Sequence, residues 1–278
     1  MKYSVLYNPL AGQGKGKETA QAFAEKTNSP VFDMTQISDY GEFFADKADS
    51  AAVICGGDGT LNRFINDTEG VNIPSKLLFL SVGTGNDFLR DIEISSPIEP
   101  VDITEYVKGL PTVTVNGKTS RFINGVGFGI DGYCCEVGDE KKVSSPGKKV
   151  NYTAIAIKGL LFFHKPSNAT VKVDGREYKF KKVWIAPTMK GRYYGGGMMP
   201  TPAQDRNSGN LSFMAFHSSS KLKTLMIFPS IFKGEHIKED KYVKVIEGRE
   251  ISVTFDTPTP LQIDGETVKN ILTYTVKA

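Results

Sequence analysis

Two glycine-rich segments, each entered from an apolar run, constrain the fold of this chain more than any other feature. Residues 55–62 follow the apolar run 51–54, and residues 81–88 follow the run 77–80. Glycines after a strand let the backbone turn sharply and bring N–H groups close to an anion, and a following helix adds the positive end of its dipole. The pattern favours phosphate binding at both junctions.

The presence of two such loops argues against a purely structural role. A single glycine loop after a strand is an ordinary feature of α/β proteins. In a parallel sheet, however, both loops would open on the carboxyl edge, where ligands of such sheets bind. Each loop also carries a carboxylate, Asp58 or Asp87, which would repel a phosphate unless a divalent cation or its waters lay between them. We therefore expect a metal-nucleotide as the ligand.

Better-known nucleotide motifs do not fit. Residues 12–19 lack the G-x-x-x-x-G-K-[ST] spacing, and Lys17 stands where G-x-G-x-x-G requires its last glycine. These departures disfavour a Walker-type ATPase and an ordinary Rossmann dehydrogenase.

The order of apolar runs predicts two domains. Strand-like and helix-like runs alternate through the first hundred residues, which is typical of βαβ units on a parallel sheet. From about residue 103 the runs are strand-like and are joined by turns such as Asn116-Gly117 and Asp174-Gly175, which favours a β-sandwich. One helix, over residues 152–163, is expected to interrupt it. Its apolar side chains are expected mostly to face the core: Ile155, Ile157, Leu160, Leu161 and Phe162.

Composition and apolar length exclude several classes of protein. The formal net charge of +3 is too small to indicate a nucleic-acid partner. The longest apolar stretch, residues 154–163, is interrupted by Lys158 and falls short of the ~20 residues that span a membrane. The first residues resemble a core strand rather than a signal peptide. Three cysteines show neither metal-ligand spacing nor a disulfide framework. We expect a cytoplasmic protein with no transmembrane segment.

Four motifs in order give the chain a family resemblance. Residues 8–12 (Asn-Pro-Leu-Ala-Gly), the loop 56–62, Gly-Thr-Gly-Asn-Asp-Phe at 83–88 and Asp-Gly-Glu at 264–266 occur as in the diacylglycerol kinase catalytic-domain family. The chain resembles a soluble bacterial lipid kinase nearly end to end. Sphingosine kinases and, more distantly, NAD kinases are similar in the Gly-Gly-Asp-Gly loop, but the second signature of NAD kinases, Asn-Glu followed by Thr-Asp-Asp, is not found.

The resemblance implies a two-domain architecture. An NAD kinase-like α/β domain with a parallel sheet and flanking helices would occupy residues 1–105 and bind nucleotide. A β-sandwich over residues 106–267 would contribute the acceptor site and the general base. Residues 268–278 are left open to join the first domain, and a cleft between the domains would be a favoured place for a ligand.

The resemblance also implies site residues. ATP would contact the following positions: Asn8, Pro9, Leu10, Ala11, Gly12, Thr35, Gly56, Gly57, Asp58, Gly59, Thr60, Leu61, Asn62, Thr84 and Asn86. Asp58 and Asp87 would hold Mg²⁺ through water. The general base would be Asp264 or Glu266, which lie two apart and would face the same side of an extended segment. Which of the two is the base stays open, and a plain hairpin turn at Asp264-Gly265 is an alternative.

Two further segments bear on the site. Family members often carry Asp-Asp-Gly after the Pro-x-Ala segment, where this chain has Ser208 in place of the acid. A second, structural magnesium would be weakened there unless Asp205 substituted. Residues 192–200 are apolar and rich in glycine and methionine, which fits either an entering acyl chain or core packing.

The implied function is that of an ATP- and Mg²⁺-dependent lipid kinase in phospholipid biosynthesis. It would convert diacylglycerol to phosphatidic acid at the membrane surface as a peripheral protein. Nothing in the glycine loops recognises the acceptor, so a sphingoid base, another glycerolipid or a soluble metabolite stays open. A non-catalytic lipid- or nucleotide-binding protein is the alternative from another class. Oligomeric state, a homodimer included, is left open.

Overall fold

The computed structural model describes residues 2–9, 14–47, 49–74, 76–82, 86–94, 99–144, 150 and 152–278. The chain divides into two compact units, residues 1–110 and residues 111–278. Each unit is described by itself.

The first unit is a five-stranded sheet with flanking helices. Its elements are β1 (Lys2–Tyr7), α1 (Lys15–Thr27), β2 (Val31–Asp33), α2 (Tyr40–Phe44), β3 (Ser50–Gly56), α3 (Asp58–Asp67), β4 (Lys76–Ser81), α4 (Asp87–Asp91) and β5 (Val101–Asp102). The strand order is β2-β1-β3-β4-β5, with β5 antiparallel to β4 and the other pairs parallel. The predicted α/β fold is confirmed.

The register of this sheet aligns the carboxyl ends of its central strands. Tyr7 at the end of β1 lies opposite Cys55, and Gly56 at the end of β3 lies opposite Ser81. Strand β3 is buried along residues 51–56, as expected for a parallel strand covered on both faces. Burial raises the pKa of the Cys55 thiol to about 12, so this cysteine is a small core residue.

The second unit consists mainly of β-strands. Its elements are β6 (Thr112–Val115), β7 (Lys118–Arg121), β8 (Gly125–Gly129), α5 (Ile130–Ser144), α6 (Tyr152–Lys158) with a π-helical turn (Gly159–Phe163), β9 (Ser167–Val173), β10 (Arg176–Val183), β11 (Ile185–Met189), β12 (Leu211–Phe216), α7 (Lys221–Ile227), β13 (Val243–Gly248), β14 (Glu250–Ile263) and β15 (Glu266–Lys277). The main path is β13-β12-β11-β8-β14-β15-β6-β7. The predicted β-sandwich is confirmed.

Strand β14 connects two parts of the sandwich. Its first half, residues 251–255, pairs with β9, and residues 261–263 pair with β8. Between these halves lie Pro258 and Pro260, which lack the N–H that a ladder requires, and the pairing with β15 is irregular there. Phe128, Phe255 and Tyr274 pack together in the core that this strand spans.

The structure corrects two expectations for this unit. Helices α5 and α7 are present in addition to the expected helix over residues 152–163. Ile155 and Leu160 of the expected helix are buried, but Ile157, Leu161 and Phe162 are exposed, because α6 buries only one of its faces. Residues 268–277 belong to β15, which pairs with β14 and β6 in the second unit, so the membership that the sequence left open falls to that unit.

Helix α5 was missed because glycines interrupt its pattern. Gly132 and Gly138 lower helix propensity, and both are required by packing. A Cβ at Gly132 would overlap the Pro260 carbonyl, and one at Gly138 would overlap the ring of Tyr152. Among the helices that the structure describes, none is long and apolar enough to cross a membrane.

Candidate active site

The two glycine-rich segments open on the same edge of the first unit's sheet. β1 leads into Asn8 and Pro9, β3 leads into Gly57, and β4 leads into Val82. The Val82 N–H donates to the Gly56 carbonyl at 2.8 Å, which extends the β3–β4 pairing into the loops. The strands that lead into the two segments therefore end at one carboxyl edge, and residues 83–85 of the second segment lie outside the described residues.

A direct hydrogen bond joins the two loops. Oδ2 of Asp58, the first residue of α3, accepts from the Asp87 N–H at 2.8 Å and from the Phe88 N–H at 3.4 Å. A carboxylate in this position satisfies N-terminal N–H groups of α4 and interacts favourably with the helix dipole. Asp87 lies buried in the first turn of the same helix. Two carboxylate-bearing residues are therefore brought to one edge, and Asp58 also binds the start of α4.

The start of α3 provides donors for an anion. Gly57 is its N-cap residue and supplies no side chain, and the Leu61 N–H makes the bond to the Gly57 carbonyl at 3.1 Å. The N–H groups of the preceding turn, at Gly59 and Thr60, lie ahead of that first intrahelical bond and project from the helix end. Gly56 must lack a side chain here, since a Cβ would overlap Thr60.

The remaining predicted nucleotide contacts fall in different environments. Thr35 follows β2 in a 3₁₀ turn, where its N–H and hydroxyl both donate to Asp33 Oδ1, at 2.8 and 2.7 Å. The side chains of Leu61 and Asn62 are buried on α3, and Asn86 lies at the N-cap of α4. Leu10, Ala11, Gly12 and Thr84 lie outside the residues that the structure describes.

In the second unit, Asp264 and Gly265 form the turn between β14 and β15. Their φ angles of 45° and 92° are both in the left-handed region, as in a two-residue type I′ hairpin. The hairpin interpretation is therefore correct. The expectation that Asp264 and Glu266 share one side of an extended segment is wrong, because Asp264 has turn conformation.

The Asp264 carboxylate binds the segment that precedes β8. Oδ2 accepts from the Ile123 N–H at 2.6 Å, and Oδ1 accepts from the N–H groups of Asn124 and Gly125 at 2.8 and 2.9 Å. Glu266, the first residue of β15, is exposed, and its side chain makes no hydrogen bond or ion pair within the described part of the chain. Of the two acids, Glu266 has the carboxylate that a substrate can reach.

The loop around Ser208 is closed by hydrogen bonds. The Asp205 carbonyl accepts from the Ser208 N–H, the Ser208 hydroxyl and the Gln204 amide at 3.1, 2.8 and 2.9 Å. Asp205 Oδ1 accepts from the Asn207 N–H at 2.8 Å. Over the residues with described positions, no three His, Cys, Asp or Glu side chains converge as a metal site. Ser208 thus contributes to loop closure at the position where an acid was expected.

One buried acid was not singled out from the sequence. Asp131, at the start of α5, accepts from the Gly132 N–H at 3.0 Å and from the Tyr194 hydroxyl at 3.4 Å. Burial, only partly offset by these hydrogen bonds, raises the pKa of Asp131 to about 7. Tyr194 and Met198 pack into the neighbouring core, so these two residues of the 192–200 loop serve packing. An acid two residues after the apolar strand β8 was the available sequence signal.

Comparison with known proteins matches each of the two units to a family model. Residues 2–115 match the diacylglycerol kinase catalytic domain, and residues 124–276 match the YegS C-terminal NAD kinase beta sandwich-like domain. The chain belongs to the diacylglycerol kinase catalytic-domain family. It is accordingly an enzyme of the lipid kinase class.

Individual members of this family agree with that placement. The chain is 28% identical over 254 residues to a diacylglycerol kinase of Mycobacterium tuberculosis, covering 86% of this chain and 81% of that protein. A crystal structure of a diacylglycerol kinase from Bacillus anthracis has a TM-score of 0.62 at 17% identity, covering 99% of this chain and 93% of that one. A second structure from the same organism has a TM-score of 0.69 at 19% identity, over 99% and 91%. The solved structures show the shared fold.

Proposed function

We propose that this member of the diacylglycerol kinase catalytic-domain family transfers the γ-phosphate of ATP to the hydroxyl of diacylglycerol, giving phosphatidic acid. The observation that carries the proposal is the bond from the Asp58 carboxylate to the N-terminus of α4. It joins the start of α3 to the start of α4 and brings the carboxylate-bearing residues Asp58 and Asp87 to one edge of the sheet. The Mycobacterium tuberculosis relative, named as a diacylglycerol kinase, supports the choice of acceptor.

The first unit would bind the nucleotide. Phosphoryl transfer depends mainly on positioning and on neutralising charge as it develops on the phosphoryl oxygens. The N–H groups at the start of α3 supply fixed donors for those oxygens, and the adjoining glycines let a phosphate approach the backbone. Leu61, buried beneath this turn, keeps the helix start in place.

The acids at this edge fit a hydrated magnesium ion. Asp58 Oδ2 already accepts two backbone N–H groups, and Mg²⁺ usually keeps several of its waters. Asp58 and Asp87 would therefore hold the ion through water. When bound, it would offset the negative charge of the phosphates.

Glu266 would accept the proton of the lipid hydroxyl, and Asp264 would position it. As the hydroxyl oxygen bonds to the γ-phosphorus, its proton passes to the Glu266 carboxylate and the bond to the β-phosphate oxygen breaks, releasing ADP. The three N–H bonds to Asp264 fix the turn from which Glu266 projects. A general base must come within hydrogen-bond distance of the proton that it accepts, and the exposed Glu266 carboxylate is accessible to a substrate hydroxyl.

A lipid kinase assay with matched variants tests the proposal. Labelled ATP with Mg²⁺ is supplied with diacylglycerol, a sphingoid base or another glycerolipid in mixed micelles. We expect transfer to diacylglycerol, and Glu266→Gln should lower kcat by about 10²- to 10⁴-fold while changing the free energy of unfolding by less than about 0.5 kcal/mol. Asp264→Ala should instead destabilise the protein by about 2 kcal/mol, since it removes hydrogen bonds to a charged group.

Each contrary result has a definite meaning. Full activity of Glu266→Gln would reject this residue as the base. Transfer only to the sphingoid base or the other glycerolipid would replace the acceptor. Nucleotide binding without transfer to any lipid would support a non-catalytic binding protein.

A further inference from the structure

Gln262 lies two residues before the turn that leads to Glu266, and its side chain is buried. It is 2% exposed, and its Oε1 accepts from the Gly265 N–H at 3.0 Å. In a two-residue hairpin the ladder hydrogen bonds belong to the residues that flank the turn, so the N–H groups of the two central residues need other partners. The Gly265 N–H has a buried side chain as its partner.

This arrangement is not shared by the other two hairpins of the same kind in the second unit. The residues at the equivalent position before Asn116-Gly117 and Asp174-Gly175 are Thr114 and Lys172, and both are exposed. Gln262 is buried because α5 packs against β14. Burying an amide costs free energy unless its polar atoms are satisfied. The buried Gln262 is therefore a particular feature of the hairpin that carries the Asp-Gly-Glu motif.

The Asp131 carboxyl group lies on the same face of the sheet as Gln262. Gly127 is directly opposite Gln262 in the pairing of β8 with β14, and a Cβ at Gly127 would overlap Asp131 Oδ2. Side chains of directly opposite residues project to the same side of a sheet. The Gln262 amide nitrogen is buried and makes no hydrogen bond within the described part of the chain, but Gln262 is close enough to lower the pKa of Asp131. The Gln262 amide therefore lies between Asp131 and the turn.

Asp131 is itself fixed from its other side. Its carboxyl group accepts from the Gly132 N–H at 3.0 Å and from the Tyr194 hydroxyl at 3.4 Å. Asp131 and Tyr194 are both buried, and the Tyr194 ring packs into the neighbouring core. Closely packed side chains of a protein interior have little freedom to shift. Asp131 is thus a rigid support for Gln262, and Gln262 supports the turn.

We propose that Gln262, supported by Asp131, is a positioning residue that holds the Glu266 carboxylate where it accepts the proton of the acceptor hydroxyl. Glu266 directly follows Gly265, so a shift of the turn also moves that carboxylate. A displacement of about 1 Å at a reacting group can lower a catalytic rate by about 100-fold. The Asp264 carboxylate fixes the turn against the segment before β8, and Gln262 fixes it from the side of α5. The inference rests on the proposed function for the role of Glu266, but the position of the turn is measurable without catalysis.

Steady-state kinetics of two matched variants test the proposal. Gln262→Met keeps the length of the side chain and removes its hydrogen-bonding atoms, whereas Leu261→Met changes the preceding buried residue and removes no polar group. Gln262→Met should lower kcat by about 10- to 100-fold and leave the KM for ATP unchanged, and Leu261→Met should keep the wild-type kcat. In a Glu266→Gln background, Gln262→Met should lower kcat further by less than about twofold, because both residues act on the same proton transfer.

Hydrogen exchange measures the position of the turn without catalysis. In Gln262→Met the Gly265 amide loses its acceptor, so one amide in peptides covering residues 262–268 should exchange at least about tenfold faster than in the wild type. Leu261→Met should exchange like the wild type. Tyr194→Phe keeps the buried ring and removes only the hydroxyl that binds Asp131, and it should lower kcat by about threefold with the KM for ATP unchanged.

The outcomes separate positioning from a general loss of stability and from the proposed function. A wild-type kcat in Gln262→Met would overturn the proposal, as would an equal loss of kcat in the wild-type and Glu266→Gln backgrounds. If Gln262→Met does not fold, a threefold loss in Tyr194→Phe supports the proposal and an unchanged kcat overturns it. If the wild type phosphorylates no lipid, the proposed function fails, and the exchange of the Gly265 amide in Gln262→Met shows whether Gln262 holds the turn.

Discussion

Asp264 and Glu266 differ in role because one lies in a turn and the other begins a strand. Asp264 binds three N–H groups that lie 139 to 141 residues away in the sequence. Glu266 extends from the first position of β15 and is exposed. The Asp-Gly-Glu motif by itself does not distinguish the two acids. The hydrogen bonds from N–H groups far away in the sequence show that the Asp264 carboxylate is already bound within the protein. Assigning the base role to Glu266 remains part of the proposed function.

Asp131 shows how strongly burial acts on a single carboxyl group. Burial raises its pKa to about 7 from the ordinary value of 3.8, and burial also raises the pKa of its partner Tyr194. Tyr194 is therefore neutral at neutral pH, whereas the Asp131 carboxyl group is protonated in acid and ionises as the pH rises through about 7. A Cβ at Gly127 would overlap Asp131, so the pocket around the carboxyl group is tight.

Asp131 should make the stability of the protein depend on pH. Because the folded protein binds this proton more tightly than the unfolded chain, the contribution is complete below pH ~4 and is lost as the pH rises through about 7. The loss is at most about 4 kcal/mol. Asp131→Asn cannot ionise, so the difference in free energy of unfolding between variant and wild type should shift in favour of the variant over this range. Urea unfolding at several pH values measures it, and a pH-independent difference would contradict the assignment.

At the scale of elements, the junction of β3 and α3 explains why the first loop is so rich in glycine. The strand ends at Gly56, the helix begins at Asp58, and Gly57 alone separates them. Thr60 returns over the strand end, which leaves no space for a side chain at Gly56. Gly57 has φ −103° and ψ −172°, a backbone conformation that residues other than glycine also adopt. The nearest atom to a Cβ added at Gly57 would be the Val82 carbonyl oxygen, 3.9 Å away.

Gly56→Ala should therefore be destabilising, whereas Gly57→Ala should be tolerated in the free protein. Overpacking against Thr60 should lower the free energy of unfolding by about 1–3 kcal/mol. The matched change at Gly57 should cost less, about 0.5–1 kcal/mol, since it loses only the preference for Gly over Ala as an N-cap residue and meets no steric overlap. Chemical denaturation without nucleotide compares the two. Equal losses would show that the contact with Thr60 is not the reason for the glycine.

At the scale of the whole molecule, the proposal that the first unit binds the nucleotide predicts which amide groups are protected from hydrogen exchange when ATP binds. Mg²⁺ and ATP should slow amide exchange most at residues 57–62 and 86–89, the starts of α3 and α4. Ligand present at about 100 times its Kd stabilises the bound form by about 2.7 kcal/mol, so exchange that requires opening of the site should slow up to about 100-fold.

Hydrogen exchange followed by mass spectrometry measures this effect, with the β9–β10 hairpin as the internal reference. Asp58→Ala should abolish the protection, because it removes both the bridge between the loops and one carboxylate. Protection concentrated in the hairpin instead would reject the assignment of nucleotide to the first unit.

The periodicity of apolar residues and the turn residues were sufficient to predict most of the strands and hairpins. The alternating runs predicted β1 to β4, and the Asn-Gly and Asp-Gly pairs predicted the β6–β7 and β9–β10 hairpins, because these features depend on local backbone preferences. Helix α5 was not predicted, since Gly132 and Gly138 contradict local propensity and are explained only by contacts with Pro260 and Tyr152.

The sequence by itself determined that two glycine-rich segments follow adjacent parallel strands, because strand ends and glycines are local signals. Tertiary structure alone decided that Asp58 joins these loops, that Asp264 is occupied by distant N–H groups, and that Ile157, Leu161 and Phe162 face outward. Those facts depend on which segments pack together. Hydrogen bonds and burial between residues far apart in the chain leave no periodic trace in the sequence.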